Sequence, residues 1–168
     1  MKSISTPLSE SVINDLQIGD VISISGYIYT GRDAVLPKIV EAAAEGNLPE
    51  LGIDLQGSVI FHTAVSPAGV GPTSSNKLEI ESSVEPLSKA GVKIHLGKGA
   101  ISPATVQALK ENDAVFAVIP PVTALLESQT MEREVVAYPE LGMEALHRLR
   151  VENYQAIIAA AHGESIYD

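Results

Sequence analysis

"VISISGYIYTGRDAVLPKIVEAAAEG", residues 21–46, sets an alternating stretch beside a helical one, with a glycine-marked bend between them. Ile22 and Ile24 alternate with Ser23 and Ser25, and β-branched and aromatic residues continue to Thr30. A period of two with such residues predicts a strand over 21–30. After the bend, IVEAAAEG predicts a helix that Gly46 closes from its C′ position. Pro37 is compatible with that helix only in its first turn.

The same strand–helix alternation recurs downstream. SVIFHTAV (58–65) reads as a strand and SPAGVGPTSS as a tight connection. Asn76 with Glu79 resembles a capping box. A helix then carries Ile80, Val84 and Leu87 on one face and ends at Gly91, with Pro86 expected to kink or shorten it. VKIHL (92–96) is a strand, and Ser102-Pro103 opens a helix in cap-then-proline order. AVFAVI (114–119) is a buried strand, PPVTALLESQ a turn and short helix, and EVVAY (134–138) a further strand. ALHRLRV and QAIIAAA read as two strands separated by a turn, and residues 1–20 as a lead-in with Gly19-Asp20 turning into the first strand. Together these predict one α/β domain over residues 1–168 with a central, mixed or mostly parallel sheet.

Composition narrows the function. The chain is 45% hydrophobic with only 4% aromatics, enough for a real core. Its formal net charge of −10 argues against nucleic-acid or anionic-membrane binding. No apolar run approaches the roughly 20 residues of a membrane helix, and MKSISTPLSE lacks a secretory core, so a cytoplasmic location is expected. There is no cysteine, which excludes disulfides, thiolate nucleophiles and cysteine-held metal within the chain. The four histidines, His62, His95, His147 and His162, are too scattered for a ligand spacing and receive no role.

Against this acidic background three glycine-flanked junctions carry cations: Thr30-Gly31-Arg32-Asp33, Gly71-Pro72-Thr73-Ser74-Ser75-Asn76-Lys77, and Gly97-Lys98-Gly99. Ligands gather at the carboxyl ends of strands in α/β sheets, where helix N-termini also favour anions. A pocket for a dianion is one reading. Taken singly, each junction also reads as a turn or cap with a solvated charge. The Gly97-Lys98-Gly99 turn is not a Walker loop, because the upstream glycine is one position too far and Gly99 stands where Ser or Thr is needed. No G-x-S-x-G elbow occurs.

In their order, LQIGDVISISGYIYTGRD, GPTSSNKLE, LGKGA and LGMEALHRLRVENY resemble the β subunit, or C-terminal domain, of class I iron–sulfur fumarate hydratases and L-tartrate dehydratases, over about residues 13–168. The resemblance implies a swivelling β/β/α domain. It implies that Arg32 and Lys98 grip substrate carboxylates, that Thr73 is the base, and that Lys77 binds substrate where the family usually has arginine. Asp33 would orient Arg32, and Ser74 would support the turn. Glu144, within LGMEA, would be structural or lie at the subunit interface. Leu36 stands where the family often has a histidine. A [4Fe–4S] cluster would be held by a cysteine-bearing α subunit, in a heterodimer or heterotetramer acting on a small dicarboxylate. The implied reaction is fumarate hydration to (S)-malate. Dehydration of L-tartrate to oxaloacetate and a non-catalytic dicarboxylate-binding module remain alternatives. A threonine hydroxyl serves as a base only where neighbouring cations favour its ionised form.

Overall fold

A computed structural model describes residues 1–66, 69–73, 77–119 and 123–167; of residue 66, the stretches 69–73 and 77–80, and residues 123–125, the backbone alone is described. The elements are β1 (Lys2–Ser5), α1 (Glu10–Asn14), β2 (Val21–Thr30), α2 (Leu36–Glu45), β3 (Val59–Phe61), β4 (Thr63–Ser66), β5 (Gly69–Thr73), α3 (Lys77–Lys89), β6 (Ile94–Gly97), α4 (Pro103–Glu111), β7 (Val115–Val118), α5 (Thr123–Ser128), β8 (Thr130–Ala137), β9 (Leu146–Ala161) and β10 (Glu164–Ser165). Short 3₁₀ segments cover Pro49–Leu51 and Pro139–Glu144. The α/β class and mixed sheet expected from the alternation are what the chain adopts. Among the described residues no helix is long and apolar enough to cross a membrane.

The sheet closes on itself. β2, β3, β6 and β7 run parallel and side by side. β9 pairs antiparallel with β7 through its second half and with β2 along most of its length. The path β2–β3–β6–β7–β9 therefore returns to β2 as a five-stranded barrel, which removes the open edges of a flat sheet. Period-two alternation then sorts side chains. Ile24, Ile28, Phe61, Leu96, Val115 and Tyr154 fill the inside. Tyr29 and Ile60 face outward against Ile39 of α2 and Leu87 of α3, while Phe116 and Ala159 pack against Val84 of α3 and Leu109 of α4.

Local chemistry accounts for the helix ends. Pro37 lies in the first turn of α2, and Gly46 takes the left-handed C-cap at φ 75°. Ser102 caps α4, its hydroxyl accepting from Thr105 N at 3.3 Å ahead of Pro103. α3 continues through Pro86 to Lys89, so the proline does not end it early. The proline removes one backbone bond, but Val84, Leu87 and Ser88 around it are buried and hold the last turn. The capping box expected at Asn76 lies outside the described residues.

Three further expectations change. The tail is a single strand of 16 residues, not two. Asn153, which signals a turn, has φ 58° where the β2–β9 register shifts between Ile24 and Gly26, so the strand bends at a bulge and continues. Residues 58–65 divide at His62 into β3 and β4, and the glycine-rich connection supplies β5, which pairs antiparallel with β4. The lead-in contains β1 and α1; β1 pairs with the first half of β2.

Candidate active site

The four parallel strands end together. Thr30, Phe61, Leu96 and Ala117 form one row across β2, β3, β6 and β7. The ladder continues one step beyond it, with Gly31 N donating to Phe61 O at 3.1 Å, His62 N to Leu96 O at 3.1 Å and Ile119 N to Gly97 O at 3.2 Å. Two residues past the row stand Arg32, Thr63 and Lys98, with the parity of the inward-facing positions. Neighbouring strands lie about 4.8 Å apart, so Thr30 and Leu96, the last paired residues before Arg32 and Lys98, are roughly 10 Å apart with Phe61 between them. That span suits a four-carbon dianion held by long side chains. Thr73 joins the group through its backbone, because Thr63 is its partner across the β4–β5 hairpin. Lys77 is the first residue of α3. Ser74 and the side chains of Thr73 and Lys77 lie outside the described residues.

Glycine shapes two of these junctions. A Cβ at Gly31 would meet Val35 at 2.8 Å, and one at Gly97 would meet the Phe116 ring at 3.0 Å. Gly99, at φ 77°, completes the turn that leaves Lys98 exposed. Leu36, the position of the missing family histidine, is 2% exposed and packs in the outer core beside Val35 and Ile39.

Arg32 is engaged by Glu144, at the end of the Pro139–Glu144 segment. Its Nε donates to Oε2 at 3.2 Å and its Nη2 donates to Oε1. Glu144 raises the arginine's pKa, chiefly through that hydrogen bond, and exposed Asp33 adds a smaller electrostatic effect. Glu144, expected to be structural or interfacial, is thus the hydrogen-bond partner of Arg32; among the described residues no hydrogen bond or ion pair joins Arg32 to Asp33.

A second polar group lies on the outer side of the same strands. Ser88 Oγ donates to Val84 O at 2.7 Å, so it accepts from His95 Nε2 at 2.9 Å. His95 Nδ1 is then the acceptor for His62 Nε2 at 3.2 Å, and the rings stack at 29°. Both histidines are fully buried, and burial lowers the pKa of His62 to about 4 and that of His95 well below its ordinary value. Among the described residues, His62 Nδ1 and the Thr30 hydroxyl are buried without a hydrogen-bond partner. Sequence reasoning gave His62 and His95 no role. The available signal was their position: each interrupts an apolar strand at outward parity, where a helix must cover it.

The family model for the fumarase C-terminus matches residues 2–168. The chain belongs to the fumarase C-terminal family. It is 30% identical, over 99% of its length, to a Geobacillus stearothermophilus protein named "Putative fumarate hydratase class I", of which it spans 33%. It is also 30% identical, over 98% of its length, to the L(+)-tartrate dehydratase subunit beta of Escherichia coli strain K12, of which it spans 86%. Membership in the fumarase C-terminal family agrees with the resemblance carried by the RD, GPT, GKG and LGMEA motifs, and with a hydro-lyase subunit as the coarse function. Within that family framework, Arg32, the Thr63–Thr73 pair and Lys98 share one barrel end.

Proposed function

We propose that this chain is the β subunit of a two-subunit hydro-lyase that interconverts fumarate and (S)-malate. The observation that carries the reading is the convergence of Arg32, the Thr63–Thr73 pair and Lys98 on one end of an otherwise acidic barrel. Arg32 and Lys98 bind the two carboxylates, Thr73 takes the proton from the carbon beside one of them, and Lys77 favours the ionised hydroxyl. Cations placed where negative charge develops stabilise the transition state more than the ground state.

The residues of this chain do not fit a cluster as ligands. It has no cysteine, and among the described residues no three His, Asp or Glu side chains converge. We therefore assign the [4Fe–4S] group to a cysteine-bearing α subunit and derive no step through it. A heterodimer or heterotetramer follows from that division.

L-tartrate is the second reading, supported by the relative of comparable length named as a tartrate dehydratase subunit beta. Anaerobic reconstitution with the α subunit tests both. Thr73→Ala is expected to lower kcat by about 10³-fold or more, as loss of the group that moves the proton should. Near-wild-type turnover would remove Thr73 from the mechanism, and comparing kcat/KM for malate and tartrate assigns the substrate.

A further inference from the structure

A guanidinium carries five N–H donors in one plane and offers two distinct forks: Nε with Nη2 along its side, and Nη1 with Nη2 at its end. Glu144 occupies the side fork of Arg32, one oxygen per nitrogen. Among the described residues Nη1 makes no hydrogen bond, and the arginine side chain keeps 30% of its surface open. The carboxylate is itself well anchored. Tyr138 at φ 55° and Gly142 at φ 60° bend the segment that delivers it, and Ala145 and Leu146, next in the chain, are buried in the barrel wall. His147 Nδ1 lies 3.0 Å from Ala145 O and fastens the start of β9. The pair joins residues 112 positions apart, so it ties the end of β2 to the approach of β9, its antiparallel neighbour in the barrel wall.

We infer that Glu144 is a positioning residue, clamping one fork of Arg32 so that the other is presented to a carboxylate of the ligand. That this ligand is a diacid rests on the proposed function; the clamp does not. An unclamped arginine would lose its rotamer freedom on binding, whereas a clamped one has already lost it. The residue therefore acts on ligand affinity more than on the chemical step.

The experiment uses the reconstituted two-subunit enzyme with Glu144→Ala and Glu144→Gln, together with the β chain labelled for NMR of the arginine Nε–H groups. Glu144→Ala is expected to raise KM about tenfold while kcat changes less than about threefold, with Glu144→Gln between it and wild type. In the NMR measurement, the Nε–H signal that disappears in Arg32→Lys should exchange slowly in wild type and rapidly in Glu144→Ala. An unchanged KM, or a fall in kcat as large as the rise in KM, overturns the inference. So does an Arg32 Nε–H that stays protected without Glu144. If Glu144→Ala does not fold, Glu144→Gln carries both readouts. If the clamp is seen by NMR but wild-type enzyme turns over neither malate nor tartrate, the proposed function fails and the clamp stands.

Discussion

Beyond the row at Thr30, Phe61 and Leu96 the charged Lys98 is exposed and Arg32 partly so, whereas on the outer side of the same strands His62 and His95 are sealed beneath α3 and carry no charge. Both groups lie near the carboxyl ends of the parallel strands, Lys98 and His95 within three residues of each other at β6. What separates them is which way each side chain points. At the mouth, water and a counter-charge from Glu144 let Arg32 remain ionised at low cost. Under α3 a charge would have neither, so the imidazoles stay neutral, His62 donating to His95 and His95 to Ser88. One region can hold charge ready for a ligand; the other can only contribute stability.

The sharpest way to break this contrast is to remove a mouth charge. Lys98→Ala alters an exposed side chain in a turn whose backbone is set by Gly97 and Gly99. We expect kcat/KM of the reconstituted enzyme to fall about 10²–10³-fold, as for loss of one preorganised donor, and the melting temperature of the chain to stay near wild type. A large drop in melting temperature with kcat/KM intact would make Lys98 structural.

The buried histidines should do the opposite. The folded-state pKa of His62, about 4, lies below the ordinary 6.5, so the unfolded chain takes up this proton first. The resulting stability is complete above pH 6.5 and is lost as pH falls from there through about 4. A difference of about 2.5 pH units corresponds to about 3 kcal/mol. His62→Gln can still donate to His95 but cannot titrate. Urea midpoints measured from pH 7.5 to 4.5 should therefore fall less steeply for the variant than for wild type. Parallel slopes would show that His62 is not held neutral by burial.

The parts of this arrangement legible from sequence are the local ones. Strand and helix follow from spacing over a few residues, and Arg32 and Lys98 stand out because each is a cation on a glycine-flanked bend at a strand end. Closure of the barrel was not legible, because β2 pairs with a strand more than a hundred residues away and local periodicity carries no information about partners. Asn153 misled for a physical reason: a left-handed asparagine serves a bulge as well as a turn. β1 was hidden by its polar KSIS sequence, and β5 by the glycines and proline that usually mark a loop. Glu144 could not be paired with Arg32, nor His62 with His95, before the strands were in register.

A second arginine–glutamate pair sharpens the comparison because it has the same chemistry without the setting. Arg148 on β9 directs both Nε and Nη2 to a single oxygen of Glu134 on β8, with side-chain exposures of 36% and 53%. Its guanidinium also lies 4.9 Å from the Tyr27 ring centroid, a contact that does not depend on the glutamate. Exposed pairs recover little free energy, since water and salt screen the attraction and two long side chains must be ordered. Glu134→Gln is therefore expected to lower stability by less than about 1 kcal/mol, with the deficit shrinking further in 1 M salt. It should leave KM unchanged, where removing Glu144 raises it. Denaturant midpoints at low and high salt check the first expectation and steady-state kinetics the second. A KM shift as large as that of Glu144→Ala would mean that any lost arginine partner perturbs this barrel, and the distinction between a clamp at the mouth and a solvated pair on its wall would collapse.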